Sequence, residues 1–295
     1  MYFNFLRMEL FRLLKRKSTF IILGVLLALT IFTNWFYCSV NIGMTVQTGD
    51  AIEEYDQAFE AGYDAGTQMV DPEEDYQMFG RGLGMYGNAS VSELYNYNSS
   101  SGNVILLLAI WVALFIGDIY LSSSQKVYLN SNANKGAWIG AKYTVVALYT
   151  TAMNLLLWPM VLLSSALFCG DVKLSFDFNF FVYFLVINFL CIAFSVIIAA
   201  LNDITRKRVP GLVIGIILSQ GIVSLLFAVL DILARVIKLD LGEFQIASLS
   251  IADRLAVFNL STPSKDFCWG VTVGAIYIAI SLFFVVLTAK KKDVV

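Results

Sequence analysis

Histidine is absent from the 295-residue chain, and charged side chains make up only 14% of it. A catalytic triad with a histidine base and a zinc site built on histidine are therefore excluded. Soluble domains carry about 25% charged residues, so this chain has too few charges to cover a water-exposed surface. Intrinsic disorder is also excluded, because it requires low hydrophobicity.

Several motifs that carry chemistry are missing as well. The sequence has no G-x-x-x-x-G-K-[ST] motif, so the chain does not bind ATP through a P-loop. Its four cysteines form no CxxC pair, and we expect no metal, cofactor or catalytic residue on this chain. The centres of its apolar segments contain no ionisable residue, which disfavours a carrier driven by protons or sodium. Energy for any transport is therefore expected from a partner.

Apolar residues are abundant, at 58% of the chain with a mean hydropathy of +0.73. A spanning helix needs about 20 mostly apolar residues, and six segments meet this length. The sequence therefore predicts an all-α membrane protein with six transmembrane helices. The predicted spans are 19–40, 103–122, 142–168, 178–201, 210–234 and 267–289.

Basic residues fix the predicted orientation. Fourteen of the 20 lysines and arginines lie in four segments that a six-span chain places on one side of the membrane. Because lysine and arginine are enriched in cytoplasmic loops, we expect both termini in the cytoplasm and the chain in the cytoplasmic membrane. The predicted cytoplasmic segments after the N-terminal region are 123–141, 202–209 and 290–295.

Three further segments flank the spans. In residues 1–18, apolar side chains fall on one side of a helix and polar or basic side chains fall mostly on the other. This pattern predicts an amphipathic helix at the inner membrane interface. Residues 41–102 form a long outer loop with eleven acidic residues and a single basic one, Arg81. Residues 235–266 predict one or two short outer helices before the sixth span.

The segment from Gly117 to Tyr143 carries the most informative pattern. An acidic residue closes the second span, a small residue and a basic residue follow, and a lysine opens the third span. This order and spacing resemble the loop between the second and third spans of ABC-2 type permeases, the membrane subunits of one class of ABC transporter. The residues that the resemblance assigns to ATPase coupling are Asp118, Ser124, Gln125, Lys126, Val127, Tyr128, Leu129, Asn130, Lys135 and Lys142. The family usually has Glu at the position of Asp118 and a Gly-Thr pair at Ser123–Ser124.

The resemblance implies a function for the whole chain. A cytoplasmic coupling helix would seat in a groove of a separate ABC ATPase, which would bind ATP and magnesium. A second permease copy, identical or a close paralogue, would complete the translocation path in the lipid bilayer. On that basis, the candidates for lining the path are Trp111, Phe115, Ser219 and Gln220. The overall pattern most resembles bacterial exporters and immunity proteins for bacteriocins, lantibiotics and phenol-soluble modulins, so the expected substrate is an amphipathic peptide or a lipid-like molecule.

A second hypothesis belongs to another class. A strongly acidic outer loop attracts cations, so the chain could instead be a membrane sensor or assembly protein that binds a cationic ligand and transports nothing. Neither hypothesis involves a nucleic-acid partner.

Overall fold

The computed structural model describes residues 2–36, 90–121, 135–168, 178–236 and 246–291. These parts of the chain contain helices and no strand, as the sequence predicts. Five of their helices are long and apolar enough to cross a membrane, which supports a multi-pass membrane protein.

The helices follow one another with short connections in the described ranges. They are α1 (Tyr2–Lys15), α2 (Lys17–Phe36), α3 (Val91–Ser100), α4 (Asn103–Leu121), α5 (Lys135–Phe168), α6 (Phe178–Thr205), α7 (Arg208–Ser219), α8 (Ile222–Val236), a 3₁₀ helix (Ile246–Leu249), α9 (Ile251–Val257) and α10 (Ser264–Lys291). The five long apolar helices are α2, α4, α5, α6 and α10.

The predicted fifth span, 210–234, differs from expectation. It is two helices, α7 and α8, separated by Gln220 and Gly221. Gly221 has a φ angle of +70°, in the left-handed region that interrupts a right-handed helix. Hydropathy measures only length and composition, so it does not register this break.

The outer loop predicted over 41–102 also differs at its end. Residues 91–100 form α3, which starts with a capping box at Ser90 and Glu93 and buries Leu94 and Tyr95 in the core. Asn98 of α3 donates a 2.7 Å hydrogen bond to Asn34 of α2, and Asn34 in turn bonds Ser164 of α5. These polar contacts hold the last part of the loop inside the bundle rather than in solvent.

Helices α4 and α7 pack closely against each other. A Cβ atom added at Gly117 would lie 2.6 Å from the Cβ of Arg208, so only glycine allows the two backbones to approach here. At the other end of the same contact, Gly102 lies beside the backbone of Ser219. The helices therefore run antiparallel, and their approach brings the end of α4 next to the start of α7.

Candidate functional site

The ends of several helices meet in a group of ionisable side chains, here called the charged cluster. Its members are Glu9, Arg12, Arg16, Asp118, Lys142, Asp203 and Arg208. They come from α1, α4, α5, α6 and α7 and from the junction between α1 and α2. The cluster therefore joins five helices through side-chain charges.

The most buried part of the cluster is the pair formed by Lys142 and Asp203. Lys142 Nζ lies 2.6 Å from Asp203 Oδ1 and 2.5 Å from Oδ2, and the lysine side chain is 1% exposed. Tyr120 and Tyr143 donate hydrogen bonds of 2.7 and 3.0 Å to the two carboxylate oxygens. The lysine also lies 4.5 Å from the centre of the Trp138 ring. Three donors and one aromatic face thus compensate the burial of the two charges.

Glu9 is the other buried acid. Its residue is 1% exposed, and Arg12 Nη2 lies 2.8 Å from its Oε2 atom. Burial raises the pKa of Glu9, while the positive charges of Arg12 and Lys142 partly oppose that rise. Glu9 therefore links α1 electrostatically to the lysine of the buried pair.

Arg12 and Arg16 complete the link to α4. Their guanidinium carbons lie 4.4 and 5.1 Å from the centre of the Phe115 ring, and Arg16 donates to the carbonyl of Leu114 at 3.2 Å. Burial lowers the pKa of Arg16, and the nearby Asp118 carboxylate opposes that shift. Arg12 near the end of α1 and Arg16 just after it are thus turned toward α4.

Asp118 lies between two cations. Arg16 Nη1 is 3.1 Å from its Oδ2 atom and Arg208 Nη1 is 3.5 Å from its Oδ1 atom. Exposed ion pairs contribute little stability, with a median of about 0–1 kcal/mol. These contacts therefore matter because they fix the positions of helix ends. They attach the end of α4 to α7 and to the start of α2.

The sequence-predicted coupling residues divide into two groups. Asp118 and Lys142 belong to the charged cluster, and Lys135 begins α5. The remaining ones, Ser124, Gln125, Lys126, Val127, Tyr128, Leu129 and Asn130, lie outside the described residues. The helix predicted for them therefore stays a prediction.

The four residues predicted to line a path lie in two separate places. Trp111 and Phe115 are buried in the core of this single chain, where the Trp111 ring stacks on Tyr149 with centroids 3.6 Å apart. Ser219 is buried at the end of α7 and donates to the carbonyl of Ile216 at 2.9 Å, whereas Gln220 is exposed at the helix break.

Sequence reasoning missed the roles of Glu9, Arg16 and Asp203. It treated all three as charges on the cytoplasmic side, with no partners. One signal was available, because Lys142 and Asp203 carry opposite charges at the same predicted ends of two successive spans. Neither the burial of these side chains nor the two tyrosine donors is visible in spacing alone.

The ion pairs of the cluster connect the helices on either side of residues 122–134 to later helices of the chain. Asp118 and Lys142 lie on the two helices that flank residues 122–134, and each is bonded to a different later helix. A displacement of that segment would therefore be transmitted through these ion pairs to α6 and α7 as well as to α4 and α5. The chain matches no protein-family model and no curated protein sequence.

Proposed function

We propose that the chain is the membrane subunit of an ATP-driven exporter of the ABC-2 type. It works as a dimer of permease subunits with a separate ATPase that binds ATP and magnesium, and it moves amphipathic peptides out of a bacterial cell. The observation that carries the proposal is the attachment of both helices flanking residues 122–134 to one charged cluster.

A transporter whose ATP is hydrolysed by a separate subunit needs a mechanical connection between that ATPase and the membrane spans. Rigid helices transmit a displacement when their ends are fixed to one another. Here Lys142 is paired with Asp203 of α6, and Asp118 with Arg208 of α7. A push on the segment between α4 and α5 would therefore move four helices together, which fits a docking site for a motor protein.

The sequence of residues 122–134, here called the docking segment, supports the same role. Polar side chains surround the short apolar run Val127, Tyr128 and Leu129. Such a run is long enough to anchor a short helix in a groove, while its neighbours keep it soluble when no partner is bound. Because the sequence has no P-loop, the proposal assigns ATP hydrolysis to that partner.

The test is to coexpress the chain with the ATPase encoded beside its gene and to purify through a tag on one subunit. We expect a stable complex whose ATPase activity rises with cationic amphipathic peptides. The double variant Tyr128→Ala with Leu129→Ala should weaken the complex by at least about tenfold in Kd, because aromatic and apolar anchors dominate interface energies.

A matched control truncates two apolar side chains elsewhere. Leu167→Ala with Val257→Ala removes exposed side chains from the end of α5 far from Lys135 and from α9, and should leave the complex unchanged. Failure of the unmodified chain to bind the ATPase would refute the proposed function. Equal losses in both double variants would refute the docking segment.

The acidic outer segment provides the discriminating test against a sensor. Deletion of residues 50–88 removes ten acidic residues but leaves α3, which is packed in the bundle. An exporter should keep its complex and its basal ATPase activity after this deletion. A sensor should lose its response to cationic ligands and show no ATPase partner before or after the deletion.

A further inference from the structure

Helix α1 presents an exposed surface that differs from the face it turns to the bundle. Phe3, Phe11 and Leu14 are 78%, 58% and 63% exposed, and Arg7 and Lys15 are exposed between them. These positions are three or four residues apart, so they share one side of the helix. We call this the α1 surface: Phe3, Arg7, Phe11, Leu14 and Lys15.

The charge on this surface has one sign. Glu9 is the acidic residue of α1, and it is turned into the charged cluster. The charges that α1 exposes are therefore positive, and Lys17 at the start of α2 adds another exposed cation. Lys15 Nζ lies 4.6 Å from the centre of the Phe11 ring, so charge and apolar area occupy the same patch.

The apolar part of the surface continues beyond α1. Phe20 and Ile21 are large and exposed on α2, one turn after the junction at Arg16. Helix α2 is one of the five helices long and apolar enough to cross a membrane. The exposed apolar area of α1 is thus continuous with that of a candidate span, and the same lipid leaflet would cover both.

Water is a poor occupant for such a surface, because contiguous exposed apolar patches are rare on soluble faces. A neutral lipid would satisfy the phenylalanines and the leucine but not the concentrated positive charge. An anionic headgroup satisfies both, since each Lys or Arg close to an anionic membrane surface contributes to binding. A surface that combines bulky apolar side chains with charges that are all positive is typical of helices that lie on anionic bilayers.

We infer that the α1 surface binds anionic phospholipid of the leaflet in which α2 begins, with Arg7 and Lys15 at the headgroups and Phe3, Phe11 and Leu14 among the acyl chains. Because Arg12 and Arg16 on the other side of the helix contact Phe115 and Asp118, the bound lipid lies one helix width from the charged cluster. The inference requires a membrane location but no ATPase.

The test uses the full chain in vesicles that contain a photoactivatable phosphatidylglycerol or the matching phosphatidylcholine. Lipid adducts on the peptide 1–17 are counted by mass spectrometry. We expect phosphatidylglycerol to be favoured over phosphatidylcholine by at least about fivefold, the effect of one basic side chain at such a surface. The preference should shrink at 0.5 M salt, because ions screen the headgroup charge.

Substitutions then locate the site. Replacement of Arg7, Lys15 and Lys17 together by Gln should reduce phosphatidylglycerol adducts on the peptide 1–17 to the phosphatidylcholine level, while phosphatidylcholine adducts persist and show that the helix is still at the membrane. Lys265→Gln removes an exposed cation at the start of α10 and should change nothing on α1. Equal adducts of the two lipids in the unmodified chain, a preference that survives all three glutamines, or no lipid adduct on α1 would each overturn the inference. Because the assay contains no ATPase, these outcomes are independent of the export proposal.

Discussion

The pairing of Lys142 with Asp203 shows how one buried residue depends on another. Taking a lysine and a carboxylate out of water costs several kcal/mol per ion, and the pair recovers that cost only through close geometry. The geometry here is close, with both carboxylate oxygens within 2.6 Å of the lysine nitrogen. Removing one partner leaves the other charged and buried.

We therefore predict that Lys142→Met and Asp203→Asn each destabilise the protein by about 3–5 kcal/mol, the usual cost of breaking a buried ion pair. The double variant should cost clearly less than the sum of the two, because neither of its side chains is an unpaired charge. Thermal unfolding of the purified protein in detergent measures all three variants.

The exposed Lys265 gives the control for this cycle, since Lys265→Met removes a lysine that lies in water and should change the unfolding temperature little. Additive losses in the double variant would contradict the pairing. The tyrosine donors are tested separately, because Tyr143→Phe removes one hydrogen bond to the buried carboxylate and should cost about 1.5–3 kcal/mol, less than the loss of either charge.

The sequence predicted the position of Lys142 but not its environment. Its place at the start of the third span follows from hydropathy and spacing, both of which are local properties. Its partner is 61 residues away, and the two meet only because α5 and α6 pack side by side. Contacts of this kind depend on tertiary packing, so a single sequence does not reveal them.

At the scale of elements, hydropathy located the long helices well and their interruptions poorly. The five long apolar helices lie within or around predicted spans, and α1, the 3₁₀ helix and α9 lie in segments predicted to be helical. The break between α7 and α8 was not predicted, because the run Ser219–Gly221 is short and apolar residues flank it on both sides, so the mean hydropathy of the segment stays high. The packing of α3 was not predicted either, since its serines, asparagines and tyrosines are typical of a solvated loop.

The break itself depends on Gly221. At a φ of +70° an L-residue with a Cβ is strained, and alanine should destabilise the protein by about 1–2 kcal/mol. Asparagine tolerates this conformation better, so Gly221→Asn should cost less than Gly221→Ala. Both effects appear as shifts in the unfolding temperature of the detergent-solubilised protein.

Gly24 is the matched control for this substitution. It lies inside α2, and an added Cβ there would meet nothing within 4 Å. Gly24→Ala should therefore be neutral or stabilising, because alanine is the better helix former. If Gly221→Ala were as stable as the unmodified protein, the two helices would be joining into one continuous span, and the structural break would be dispensable.

The charge of the whole molecule is polarised although its formal net value is only −2. In the predicted topology the cytoplasmic side carries fourteen basic and four acidic residues, while the outer side carries six basic and eighteen acidic ones. The charged cluster lies at the predicted cytoplasmic ends of α4, α5, α6 and α7, and the exposed cations of the α1 surface are at the same end. The orientation predicted from the basic residues thus places the docking segment on the cytoplasmic side, where the proposed ATPase would bind.

This orientation is testable with cysteines. Cys268 is free and exposed near the start of α10, on the predicted outer side, whereas Cys191 is buried. With Cys38 and Cys169 replaced by serine, a membrane-impermeant maleimide added to intact cells should label Cys268. Lys207 is exposed between α6 and α7, so Lys207→Cys in a chain that also carries Cys268→Ser should be labelled only after the membrane is permeabilised.

The opposite pattern would invert the topology, place residues 122–134 outside the cell, and remove the docking segment from any cytoplasmic ATPase. Labelling of both positions as predicted would put the charged cluster, the α1 surface and the docking segment on the cytoplasmic side of the membrane together, which export driven by a cytoplasmic motor requires.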